Sequence, residues 1–205
     1  MKKIKIGIAD DNREFCDILA EYFSEKDDID LVFVSHDGLK TIENIKEKQP
    51  EIYEKTYKFL LVEDFVLHRL TGEFVTEKSL LTSTAYYDIR NDRYWTELLD
   101  QLGLDADKLP RILNCGEMAG TLRPQAQAEL GLGPDVKVFA GAMDQIAAAI
   151  GGGGMQDGVV TATVGTAMVL TSAITSMDEC TDESLIVYRG IKENQYAILP
   201  LCSTA

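Results

Sequence analysis

The rhythm of apolar positions changes along this chain. Residues 3–9 alternate, with Ile4, Ile6 and Ile8 on one side, and the spacing predicts a strand. Phe15, Ile18, Leu19, Tyr22 and Phe23 then recur at helical spacing, so one face of a helix should carry them. Asp10, Asp11 and Asn12 stand where that helix needs a cap. Residues 31–35 read as a second strand. Asp37-Gly38 then turns the chain into a helix carrying Leu39, Ile42 and Ile45. The opening is therefore β-α-β-α, the start of a parallel α/β sheet.

Pro50 marks a change of style. Residues 51–70 look helical and rich in aromatics, with Gly72 placed to end them. Residues 73–92, rich in Ser, Thr, Tyr and Asp, read as loop and short pieces. Helices follow at 95–102 and 124–130, stopped by Gly103 and Gly131. Residues 136–140 read as a buried strand, and 143–150 as a helix of small residues broken by the glycines at 151–154. Residues 159–164 and 167–171 alternate around Gly165-Thr166 as a tight hairpin would. Further strands are expected at 185–189 and 196–199. Trp95, with Tyr94 and Leu98, is expected in a core, Asp64 on the wet face of its helix, and His68 in a structural role.

Composition narrows the function. The 205 residues suffice for one large domain or two small ones, and 45% hydrophobic with 26% charged is ordinary for a globular protein. A net charge of −14 repels nucleic acid phosphate, so no nucleic acid partner is expected. Cys16, Cys115, Cys180 and Cys202 are scattered, with only His36 and His68 beside them, which argues against a zinc site and for idle thiols in a reducing cytosol. The first apolar run is too short for a signal peptide, and no stretch reaches the ~20 apolar residues of a membrane helix. A cytoplasmic protein without a membrane partner is expected.

Asp144 stands where a strand hands over to a helix. Its carboxylate would meet the positive end of the helix dipole and stay charged. Such a charged carboxylate could serve as a general base. On spacing alone a plain helix cap is the favoured reading. Gly141 and the 151–154 glycines could allow a backbone to approach a ligand, or only serve a loop. Gly165-Thr166 could offer amides and a hydroxyl to phosphate oxygens.

The segments EIYEKTYKFLLVEDFVLHRLTGEFVTEKS, LPRILNCGEMAGTL, VFAGAMDQIAAAIGGG and TVGTAMVL, in that order, resemble the FGGY family of carbohydrate kinases, xylulokinase-like, over about residues 47–205. The resemblance implies an α/β fold: part of a ribonuclease-H-like, actin-type sugar-kinase lobe. It implies Asp144 as catalytic base, Asp144 and Gln145 against the substrate, and Gly165 and Thr166 near the nucleotide phosphates. ATP and Mg2+ are implied, with a small-molecule sugar or polyol as partner. The family's opening Asp-Gly-Thr-type phosphate loop has no match, and the chain stops where the second lobe would begin. Negligible activity of the chain alone is therefore expected.

MKKIKIGIADDNREFCDILAEYF in turn resembles the start of a response-regulator receiver domain of the sporulation master regulator type. There Asp10 and Asp11 would hold Mg2+, since paired hard oxygens suit a hard cation; a helix cap is the alternative. Asp64 is the nearest phosphoacceptor candidate but lies too far along, and the kinase resemblance explains its surroundings better. The expected organisation is a receiver-like segment at 1–49, a kinase first-lobe fragment at 50–170 and the start of a second lobe at 171–205. The expected function is a truncated ATP-dependent kinase of a ketose or polyol hydroxyl. The alternatives are a phosphorylation-dependent receiver and an inactive chimera joined near Pro50. Incomplete sheets would leave edges open to self-association.

Overall fold

The computed structural model describes residues 3–10, 12–36, 38–164, 167–180, 182 and 185–203. The chain forms two compact units, Met1–Tyr57 and Lys58–Ala205. Among the described residues no helix is long and apolar enough to cross a membrane.

The first unit is β1 (Ile4–Ala9), α1 (Arg13–Ser24), β2 (Ile29–Ser35), α2 (Gly38–Lys48) and α3 (Pro50–Lys55). β1 and β2 pair in parallel, as the alternating and helical periods predict. The register slips between Ile6 and Gly7. A Cβ on Gly7 would run into the Phe33 ring, which would have to shift to make room. Asn12 caps α1, its Oδ1 accepting from the Phe15 amide at 3.0 Å. The apolar face of α1 divides: Cys16 is buried, while Phe15, Ile18 and Tyr22 stay exposed. A sheet with two described strands covers only part of that face.

The second unit begins with α4 (Val62–Thr71), β3 (Val75–Glu77) and α5 (Lys78–Leu81). Next come β4 (Tyr87–Asp88), β5 (Arg93–Tyr94), α6 (Thr96–Gln101), β6 (Arg111–Leu113) and β7 (Met118–Thr121). After these follow α7 (Pro124–Leu130), β8 (Lys137–Phe139) and α8 (Asp144–Gly151). The strands β9 (Val160–Val164), β10 (Ala167–Ile174), β11 (Val187–Arg189), β12 (Tyr196–Ile198) and β13 (Leu201–Ser203) complete the unit. β3 and β6 pair in parallel, β7 and β8 antiparallel. The last five strands form one antiparallel sheet in which β9 takes one edge of β10 and β12 and β13 share the other. Pro200 separates β12 from β13; it has no N–H to donate, though its carbonyl still accepts from the Leu170 amide at 3.2 Å.

Two apolar clusters fix these pieces. Val75, Leu113, Ala119 and Ala140 pack together with Leu67. Ile146 and Ala149 of α8 pack on Met155, Ala197 and Leu199, which seats the helix on the antiparallel sheet.

The structure corrects several expectations. The helix expected over 51–70 is two helices, α3 and α4, with extended chain between. The Phe59 amide donates to Lys108 O at 2.7 Å, and Lys58 Nζ reaches Asp107 O and Leu109 O. Those bonds inside the second unit outweigh the local helical preference. Residues 137–139 form a strand with Phe139 exposed, not a buried one, because β8 pairs only with β7 among the described strands. Trp95 is 45% exposed, since its backbone serves as the N-cap of α6 and its ring is left outside the core. Gly72 does end α4, at φ +86°, a conformation that favours glycine.

Asp64 is the clearest departure. It is 1% exposed, not on a wet face. It lies in the first turn of α4, and Oδ2 accepts from the Leu61 amide at 3.0 Å. Burial pushes its carboxyl up to about 6, and the charges of Glu63 and Glu77 add to the effect. A raised carboxyl favours the folded state fully below the unfolded value of 3.8, and that contribution is lost as pH rises through about 6.

Two outcomes are expected. Asp64→Asn should be more stable than the native chain at pH 7.5 by up to roughly 2–3 kcal/mol, with the gap closing towards pH 4. Urea denaturation across that pH range measures it, and a gap independent of pH would contradict the burial argument. Leu113→Ala, in the centre of a cluster, should destabilise the second unit by about 2–5 kcal/mol in the same assay.

Candidate functional site

The site grows from the mouth of α8. Met143 is the N-cap, with extended ψ of 143°, and Asp144 is the first helical residue. Asp144 Oδ1 accepts from the Gln145 amide at 2.7 Å, satisfying one of the donors a helix start leaves without a partner. The side chain is exposed rather than sealed in apolar packing, so it can reach a ligand. Beneath it, Ile146 is fully buried, so the packed face of α8 fixes where the carboxylate emerges.

A second element steadies that mouth. Glu77, the last residue of β3, caps α5: its carboxylate accepts from the Ser79 amide at 3.0 Å and the Leu80 amide at 3.1 Å. Ser79 Oγ donates to Glu77 Oε2 at 2.5 Å and accepts from the Met143 amide at 2.9 Å. Burial pushes the Glu77 carboxyl up, while its hydrogen bonds from Ser79 and Leu80 hold it down. Burial raises the phenol of Tyr188, which packs on the Ile146 cluster, and the Asp144 charge adds to that shift.

Next to this lies a cavity of about 310 Å³. Val62, Asp64, Leu67 and Leu80 line it together with Glu77, Gly141 and Ala142. It stops at Gly141 and Ala142, just short of Asp144. Asp64 Oδ1 is buried without a hydrogen-bond partner.

A charged hub holds α5 from the other direction. Lys78 Nζ and Arg189 Nη2 both reach Asp92 Oδ2, at 2.5 and 3.2 Å. Tyr87 donates to Asp92 Oδ1 at 2.5 Å. The Arg189 amide donates to Thr82 Oγ1 at 3.3 Å, and its side chain is only 5% exposed. Buried charge of this kind needs such pairing.

Asp144 and Gln145 are thus adjacent at the helix mouth, and Gln145 Oε1 is buried without a partner. Gly165, Thr166 and Asp11 lie outside the described residues. Asp10 Oδ1 accepts from the Asn12 amide at 2.9 Å, the geometry of a helix-start turn. Among the described residues no group of three acidic, His or Cys side chains is placed to hold a metal. Sequence reasoning assigned no role to Ser79 and passed over Glu77. The available signal was an acid two residues before a serine at a helix start, a capping pattern lost within a polar stretch.

The N-terminal domain of the FGGY family of carbohydrate kinases matches residues 19–151, a match that starts well before residue 47. The chain is 34% identical over 128 residues to a xylulose kinase of Bacillus subtilis (strain 168), covering 62% of this chain and 26% of that protein. It is 31% identical over 113 residues to an L-fuculokinase of Escherichia coli (strain K12), covering 55% and 24%. The chain thus spans about a quarter of the length of these relatives. Its fold superposes with a TM-score of 0.70 on the crystal structure of a "xyloylose kinase" from Brucella ovis, at 25% identity, covering 80% of this chain and 34% of that one. A Plasmodium falciparum glycerol kinase structure with ADP matches in fold at a TM-score of 0.68 and 16% identity, covering 92% and 40%. The mixed α/β architecture is therefore the actin and ribonuclease-H-like one of these sugar kinases. With nearly two thirds of its length matched by that N-terminal domain, the chain belongs to the FGGY family of carbohydrate kinases.

Proposed function

We propose that this chain carries the sugar-side part of a kinase that transfers the γ-phosphoryl of ATP to a hydroxyl of a ketose or polyol. The observation that supports it is Asp144: an exposed carboxylate at a helix mouth, held by Gln145 and backed by the buried Ile146. A carboxylate so placed accepts the proton of the attacking hydroxyl, a contribution of ~10²–10⁴-fold to the rate. Gln145, beside it, offers an amide to the same substrate. ATP and Mg2+ enter as the co-substrate complex, with Gly165 and Thr166 as their proposed phosphate contacts. The names of the relatives, xylulose kinase and L-fuculokinase, favour a sugar acceptor.

Phosphoryl transfer is mostly positioning and charge stabilisation around the nucleotide. The 205 residues are expected to bind sugar but release little ADP by themselves, matching as they do about a third of one of the structures they resemble.

Calorimetric titration with a panel of pentuloses, hexuloses and glycerol, with and without MgATP, tests the reading. At least one ketose or polyol should bind, and Asp144→Asn should weaken it by about tenfold or more, the effect of losing a charge-assisted hydrogen bond. A panel without a binder, or an Asp144→Asn chain that binds as well as the native one, would refute it. Coupled-enzyme ADP release by the native chain should stay near background. Turnover at ordinary kinase rates that Asp144→Ala abolishes would keep the base and overturn the expected inactivity.

A further inference from the structure

We propose that Glu77 and Ser79 are positioning residues for Asp144, acting through the main chain at the mouth of α8. The inference rests on the reading of Asp144 as the sugar-side base. Ser79 is fully buried and Glu77 nearly so. The Ser79 hydroxyl has one proton, and it is committed to Glu77 Oε2 at 2.5 Å. Its oxygen lone pair is therefore presented to the Met143 amide at 2.9 Å. A hydroxyl rotor is otherwise free to donate or accept. The carboxylate fixes its direction, so Ser79 acts as a one-way acceptor.

The bond falls on the N-cap, where the chain turns from extended to helical, immediately before Asp144. Sixty-four positions separate the two partners, so the link is tertiary. It adds what the local turn at Asp144 and Gln145 cannot: a fixed distance between α8 and α5. The anchor is itself immobilised, since Lys78 is tied to Asp92 and Glu77 accepts from two amides of α5. The Ser79 and Glu77 side chains are themselves closed to water, so the hydroxyl keeps its carboxylate partner and its direction. With Ser79→Ala, the Met143 amide loses its acceptor and Glu77 loses one donor.

The test uses the full 205-residue chain, isotopically labelled. Two readouts need no sugar: hydrogen exchange at the Met143 amide, and the carbon chemical shift of the Asp144 carboxyl at a single fixed pH. Ser79→Ala should speed Met143 exchange by about tenfold. It should also move the Asp144 carboxyl carbon resonance and weaken ketose binding. Ser79→Thr, which keeps the hydroxyl, should restore all three. Glu77→Gln, which keeps the shape but not the charge, should shift them the same way by less, and it serves if Ser79→Ala does not fold. Unchanged Met143 exchange and an unchanged Asp144 carboxyl resonance in a folded Ser79→Ala chain, or in Glu77→Gln in its place, overturn the proposal. A native chain that binds no ketose yet shows Ser79-dependent exchange overturns the sugar reading and leaves the tether standing.

Discussion

A carboxylate buried at the end of a short strand must find donors or lose its charge. Glu77 finds three, two amides and one hydroxyl, all from α5. That requirement shapes its surroundings. It starts a four-residue helix which propensity alone would not sustain, because a single turn is too short to be stable by itself. It turns the Ser79 hydroxyl towards α8. It brings Lys78 to the other side of α5, where Asp92 and Arg189 meet it. The parallel pair of β3 and β6 supplies the rigid floor on which this happens.

Asp144 has a different kind of support. Its helix is short, and its stability comes from Ile146 and Ala149 buried against the antiparallel sheet. The mouth of α8 therefore answers to two bodies of structure: the sheet beneath and α5 beside it. The proton-accepting role proposed for Asp144 would benefit from such double restraint, since misplacement by about 1 Å can cost catalysis 10²-fold.

Legibility in the sequence followed the range of the forces involved. The β-α-β-α opening, the α8 helix with its aspartate, the αL glycine after α4 and the β9–β10 pairing rest on neighbours in sequence, and all could be read there. The break between α3 and α4 could not, because it depends on Lys58 and Phe59 reaching residues 107–109. Nor could the burial of Asp64, whose helix position looked wet until the surrounding cavity walls were known. Ser79 was visible as a residue and invisible as a contact, since its partner lies 64 positions away. Trp95 misled for the opposite reason: a large aromatic suggests a core, yet here its backbone does the work.

The hub at Asp92 also has a temporal side. Lys78 lies 14 positions before Asp92, but Arg189 lies 97 positions after it. At ribosomal speeds of about 5–20 residues per second, Asp92 waits on the order of 5–20 seconds for its second cation. During synthesis the carboxylate has Lys78 and Tyr87 for company, and the loop around it can be set only provisionally. Arrival of β11 then locks a region translated long before, so the last third of the polypeptide acts as a latch on the middle.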